Sequence, residues 1–130
     1  MTKIRISDAA RFLGVSDDTV RRWLDQGALP HEVDPSNRKV IDGRVLAEFA
    51  KNQANPAPDP SGVAGSARNR FVGLVTEVIS DTVMSQVELQ CGPFRVVSLL
   101  STEAVRELGL EPGSVAVAVV KATNVIVETP

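Results

Sequence analysis

Ser66, Arg68, Ser101, Thr102 and Lys121 carry the side-chain types that hold a small anion. A tetrahedral oxyanion needs several N–H and O–H donors and one or two cations, with no acidic group beside it. Ser66 and Arg68 stand just before an alternating apolar stretch. Ser101 and Thr102 stand where a short helix is expected to begin, and unpaired backbone N–H groups at such a point favour an anion. Lys121 ends a mostly apolar run. Taken one at a time these residues have plainer readings: Arg68 as a surface arginine, Lys121 as a lysine snorkelling to water from a strand end. Spacing alone does not bring the set together.

A second group lies near the N-terminus. Ser16, Asp17, Thr19, Arg21 and Arg22 sit at the start of an amphipathic stretch, and Arg38 and Lys39 follow further on. Such side chains meet base edges and phosphates when a helix lies in the major groove of duplex DNA. Asp17 and Asp18 run against this, because carboxylates repel phosphates. Asp17 either accepts from a cytosine amino group or, with Asp18, stabilises a helix terminus. Arg21 and Arg22 also fit a solvated helix face.

Catalysis finds no support. There is no nucleophile paired with a histidine, no phosphate-binding glycine loop and no cluster of metal ligands. The single cysteine, Cys91, excludes an intrachain disulfide and a cysteine-based metal site, and reads as a small core residue. The single histidine, His31, excludes a histidine-rich centre. A non-enzyme is expected. With no run of 18 or more apolar residues and no charged-then-apolar leader, no membrane partner is expected, and the chain reads as cytoplasmic. The net charge of −2 hides an asymmetry. Residues 1–55 hold nine Lys and Arg against eight Asp and Glu, a balance of +1, and residues 56–130 hold five against eight, a balance of −3. DNA binding by the first part therefore requires its cations to share one face.

The elements that must position these groups fall on either side of a break. Residues 52–65 carry Pro56, Pro58 and Pro60 in alternation with two glycines, the composition of an extended spacer. The expected organisation is a domain over 1–53, a linker over 54–65 and a second domain over 66–130. In the first, Ser7 is expected to cap a helix over Asp8–Leu13 whose apolar face is Ala9, Ala10, Phe12 and Leu13. Gly14 ends it. Ser16 caps a second helix with Val20, Trp23 and Leu24 on one stripe, so Trp23 reads as a core anchor. Two short helices joined by a glycine-containing turn make a helix-turn-helix. Residues 35–41 read as a turn leading into a short strand, a basic wing carrying Arg38 and Lys39. A third helix over about Asp42–Asn52 offers Val45, Leu46 and Phe49 to the core.

In the second domain, residues 70–79 alternate with both faces largely apolar, and Ser80-Asp81 supplies a turn. Residues 83–91 form a second strand. Gly92-Pro93 turns into a third over 94–100, and Thr102 or Ser101 caps a short helix through Leu108. Strands over 115–120 and 125–127 complete the set. Five short strands with one helix between the third and fourth is the order of an OB-like barrel.

The first half resembles the excisionase/MerR-like winged helix-turn-helix group, through Ile6-Ser-Asp-Ala-Ala-Arg-Phe-Leu-Gly-Val-Ser16, Thr19-Val-Arg-Arg-Trp-Leu24, Gly27-Ala-Leu-Pro30 and Arg38-Lys39. The second half resembles the Mop domain, the molbindin or TOBE-like fold. The residues that carry this are Ser66-Ala-Arg-Asn69, Gly73, Val83-Met84, Val96-Val-Ser98, Leu108-Gly-Leu110, Gly113 and Lys121-Ala-Thr123. That resemblance implies molybdate or tungstate held between subunits, in a dimer or trimer of dimers, by Ser66, Ala67, Arg68, Ser101 and Lys121. Ser101 stands where the family commonly has threonine. Ala104 stands where it often has serine, which removes one donor. Together the two halves imply a molybdate-responsive transcription regulator on duplex DNA. A molybdate storage or homeostasis protein with a helical interaction module is the alternative. An architectural DNA-binding factor with an oligomerising barrel is a third reading.

Overall fold

The Ser16 hydroxyl accepts the Thr19 N–H at 3.2 Å, and this cap opens a helix over Asp17–Asp25. In the computed structural model, which describes residues 2–130, the chain folds as two compact units, Met1–Asn55 and Pro56–Pro130.

The first unit runs β1 (Lys3–Arg5), α1 (Ile6–Leu13), α2 (Asp17–Asp25), β2 (Glu32–Val33), β3 (Lys39–Asp42) and α3 (Gly43–Gln53). Gly14, at φ 68°, ends α1, and the Val15 N–H returns to the Ala10 carbonyl at 3.0 Å. Only a residue tolerant of the left-handed region closes a helix in this way. Asp42 caps α3 through the Arg44 N–H at 2.9 Å. The core is Ala9, Ala10, Val20, Leu24, Leu29, Ile41 and Leu46, with Val45 and Phe49 packed on it, and Trp23 lies edge-on to Phe49 at 5.0 Å. Trp23 is the core anchor its stripe suggests.

Two expectations fail here. Ser7 is not the cap of α1: the helix starts two residues earlier, at Ile6, with Arg5 at the cap and no side-chain bond, because β1 runs straight into it. Phe12 does not join the core and is 71% exposed, since Ala9, Ala10 and Leu13 already fill the face that turns inward. The sequence reading also omitted β1 and β2. They flank β3 in an antiparallel sheet of order β1-β3-β2. The β2–β3 connection is set by Asp34, whose carboxylate accepts N–H groups from Ser36 at 2.9 Å and Arg38 at 2.8 Å, while Asn37 takes φ 62°. The Arg38 N–H, followed by that of Ser36, holds the Asp34 carboxyl below the usual carboxylate range.

The second unit runs β4 (Asn69–Ser80), β5 (Met84–Cys91), β6 (Phe94–Ser101), α4 (Thr102–Leu108) and β7 (Val115–Val120), then a 3-10 turn over Ala122–Asn124. The sheet is antiparallel, of order β6-β5-β4-β7. Val75, Val87, Leu89, Cys91 and Val105 are its buried apolar residues. Simple alternation puts Val75, Glu77 and Ile79 on one face, but the register shifts between Val75 and Glu77. Thr76 is the extra residue, its hydroxyl bonded to Glu88 Oε1 at 2.8 Å, so Val75 and Val78 pack on the same core three positions apart. At Gly73 the constraint is contact: a Cβ there would meet the Gln90 carbonyl oxygen at 2.5 Å and Cys91 Sγ at 2.6 Å.

The fifth strand expected over 125–127 is not formed within the chain. Val125, Ile126 and Val127 have no partner strand and are 46%, 86% and 85% exposed. This leaves β6 and β7 as free edges. Between them lies a cavity of about 410 Å³ lined by Leu100, Leu108, Leu110, Val115 and Val117. Within the linker expected over 54–65, two residues bond to the second unit. Asp59 pairs with Arg70 at 2.6 Å and Ser61 accepts from the same guanidinium at 2.6 Å, so its later part is pinned to β4.

Candidate oxyanion site and nucleic-acid interface

Asn69 pairs with Val120 in the β4–β7 register, and its side-chain amide also donates to the Val120 carbonyl at 3.1 Å. This double tie puts the segment Ser66-Ala67-Arg68 next to Lys121 at one end of the sheet. Ser66, Arg68 and Lys121 are exposed and Ala67 is half-buried. Arg68 is braced by its own turn, donating from Nη1 to the Gly65 carbonyl at 3.2 Å. Among the described residues neither Arg68 nor Lys121 forms an ion pair. Two cations and a hydroxyl therefore stand on neighbouring backbone segments, and neither cation is ion-paired.

Ser101 stands elsewhere. The pairs Ser80–Ser85 and Met84–Ser101 place it at the opposite end of the sheet, the length of β4 away, roughly 36 Å along an extended strand. One chain brings together Ser66, Ala67, Arg68 and Lys121 but does not add Ser101 to them.

The position of Ser101 is nonetheless tightly set. The buried Ser85 hydroxyl lies 2.8 Å from that of Thr102, and Thr102 donates to the Asp81 carbonyl at 2.9 Å. Asp81 in turn accepts the Val83 and Met84 N–H groups, which hold its carboxyl below the usual range. Thr102 is thus consumed inside the fold, and of the two capping candidates Ser101 is the cap. Its Oγ accepts the Ala104 N–H at 3.1 Å, which leaves the hydroxyl hydrogen to donate outward.

In the first unit, Ser16 and Thr19 are bonded to one another, hydroxyl to hydroxyl at 3.0 Å, so both serve the start of α2. Arg21, Arg22, Arg38 and Lys39 are exposed and Asp17 is half-buried. Arg21, Arg38, Lys39 and Asp17 line one cleft, together with Arg5, Ile6 and Ser7; Arg22 is not part of it. Arg5 is the residue that sequence reasoning missed. The signal was absent because β1, three residues long, has no readable period.

A helix-turn-helix domain model matches residues 4–54, and a TOBE domain model matches residues 65–127. A probable molybdenum-pterin-binding protein of Haemophilus influenzae is 41% identical over 63 residues, which are 48% of this chain and 91% of that protein. The chain belongs to the TOBE-domain family. Its TOBE unit is also similar to solved structures. A molybdate-binding protein from Sporomusa ovata is 30% identical with a TM-score of 0.50, over 52% of this chain and 100% of that one. The cytoplasmic molybdate-binding protein ModG, solved with molybdate bound, is 42% identical with a TM-score of 0.52, over 55% of this chain and 52% of that one. In the TOBE unit the curled antiparallel sheet is the OB-like fold of these proteins, while the helix-turn-helix match covers α1 and α2. No helix among the described residues is long and apolar enough to cross a membrane.

Proposed function

We propose that this protein is a transcription regulator that binds duplex DNA through a winged helix-turn-helix and binds molybdate or tungstate at subunit interfaces of its TOBE domain. It is a binding protein of the cytoplasm rather than an enzyme. Residues 66–130 form the oxyanion domain and 1–53 the DNA-binding domain. Ser66, Ala67, Arg68, Ser101 and Lys121 hold the anion. Ser16, Asp17, Thr19, Arg21, Arg22, Arg38 and Lys39 face the DNA, and the hairpin of β2 and β3 is the wing.

The observation that carries this reading is the placement of the two cations. Arg68 and Lys121 stand on adjacent backbone segments, neither ion-paired among the described residues, while Ser101 lies at the other end of the same sheet. A second copy of the chain supplies the missing end. The same copy supplies the missing strand: Val125–Val127 enters between β6 and β7 and covers the apolar cavity there. The homo-oligomer is a dimer or a trimer of such dimers. Oxyanion binding stabilises that assembly and so changes how the DNA-binding units are paired.

Isothermal titration of the full chain with sodium molybdate, with sulfate as control, tests the reading. Saturable heat is expected, and Arg68→Ala or Lys121→Ala should weaken binding by about 10- to 100-fold, the effect of removing one charged donor to a buried anion. No heat above the sulfate control would remove the sensor reading and leave a DNA-binding protein with an oligomerising barrel.

A further inference from the structure

The cleft at the base of α1 gathers positive charge from several parts of the first unit. Its volume is about 410 Å³, and it gathers Arg5, Arg21, Arg38 and Lys39 around the single acid Asp17. These cations come from three separate stretches of the chain: the end of β1, the body of α2 and the β2–β3 hairpin. Four cations and one acid line the cleft itself, and three further acids, Asp18, Asp25 and Asp34, border it. Three of the cations are ion-paired with these acids. Arg21 lies 3.6 Å from Asp18, Arg38 lies 3.5 Å from Asp34 and Lys39 lies 3.7 Å from Asp25. A full charge-assisted hydrogen bond is shorter, about 2.8 Å, so these contacts orient the cations without saturating them. Arg5 forms no ion pair within 4.0 Å among the described residues, although the Asp34 carboxylate lies near enough to feel its charge. It is held by its backbone, opposite Val40 in the β1–β3 register.

We propose that this cleft seats one backbone phosphate of duplex DNA, and that Arg5 is the residue which closes it. The proposal rests on the DNA-binding reading and deepens it. A phosphodiester fits because the cleft is cationic, polar and open. It includes Asp17 and Arg21 of α2, so a phosphate held there fixes how that helix is offered to the groove. Asp17 has a definite place in this arrangement. It is the acid that lines the cleft, where it repels a phosphate and lowers affinity for DNA.

The test is fluorescence anisotropy of the full chain with two duplexes, one of random sequence and one selected by the chain from a random pool, over a range of salt. Arg5→Ala should weaken binding to both duplexes alike, by about tenfold near 0.1 M salt, and should make the slope of log K against log salt shallower by about 0.9, the value of one lost phosphate contact. Arg5→Lys should keep the slope, which separates charge from folding. Asp17→Asn should tighten both duplexes equally; a change confined to the selected duplex would assign Asp17 to a base instead. If the native chain binds DNA and Arg5→Ala leaves both affinity and slope unchanged, the proposal is overturned while the DNA reading stands. If the native chain shows no salt-dependent binding, the DNA reading fails and the phosphate seat falls with it. If millimolar inorganic phosphate raises the melting temperature of the native chain but not of Arg5→Ala, while the DNA slope is the same in both, the cleft is a free-phosphate site and the proposal is wrong.

Discussion

A chain ending at Asn124 is expected to sediment as a monomer and to give no heat with molybdate above the sulfate control. The segment it loses is apolar and open, with Ile126 and Val127 86% and 85% exposed. The sheet it would complete has two free edges with an apolar cavity between them. Burying a Val or Ile side chain contributes about 2 kcal/mol, so two donated segments contribute on the order of 10 kcal/mol to a symmetric pair. That is comparable to the cost of bringing two chains together, and without it little remains to offset the cost. Loss of the pair also separates Arg68 and Lys121 from the partner's Ser101 position, so assembly and oxyanion binding should vanish together. Sedimentation and titration of the shortened chain read both. A shortened chain that still pairs and binds would remove strand donation from the reading.

Gly73→Ala should unfold the second unit while leaving the first intact. The added methyl has nowhere to go, because the nearest atoms, at 2.5 Å and 2.6 Å, are a backbone carbonyl oxygen and the sulfur of a buried side chain. Neither is the far end of a flexible chain. Overpacking of this kind costs about 3 kcal/mol. The unit has five buried apolar residues in its core, and so small a domain has little stability to lose. Trp23, the single tryptophan, lies in the first unit, so its fluorescence should melt at the native temperature while the far-ultraviolet signal of the sheet is lost early. Coincident, unchanged melting of both signals would show that β4 and β5 have room to part.

Most of the helical architecture was legible because it is written in single residues with strong local physics. Ser16 and Ser101 each accept a first-turn N–H, and Gly14 takes the left-handed conformation that ends α1. The turns at Asp81 and Gly92 are equally local. What escaped depends on more than one segment. β1 and β2 have three and two residues and exist only because β3 lies between them. The bulge at Thr76 breaks a period that the sequence continues without interruption. Residues 125–127 have the composition of a strand but no edge within their own chain to pair with. Ser66, Arg68, Ser101 and Lys121 stand out by their side-chain chemistry, and Ala67 joins them only through family resemblance. The neighbourhood of Arg68 and Lys121 follows from a register between segments some fifty residues apart, which spacing does not reveal.

The sulfur that forbids a side chain at position 73 also makes the second unit report on itself. Cys91 is the only thiol in the chain, is 7% exposed, and burial raises its pKa, so a labelling reagent meets neither an accessible nor an ionised sulfur while β4 lies on β5. Modification then waits on opening of the barrel, and its rate measures the opening equilibrium of that unit alone. Any ligand that binds only the closed barrel slows the reaction by the factor one plus its concentration over Kd. A single native atom thus turns oxyanion affinity into a rate that can be followed by mass.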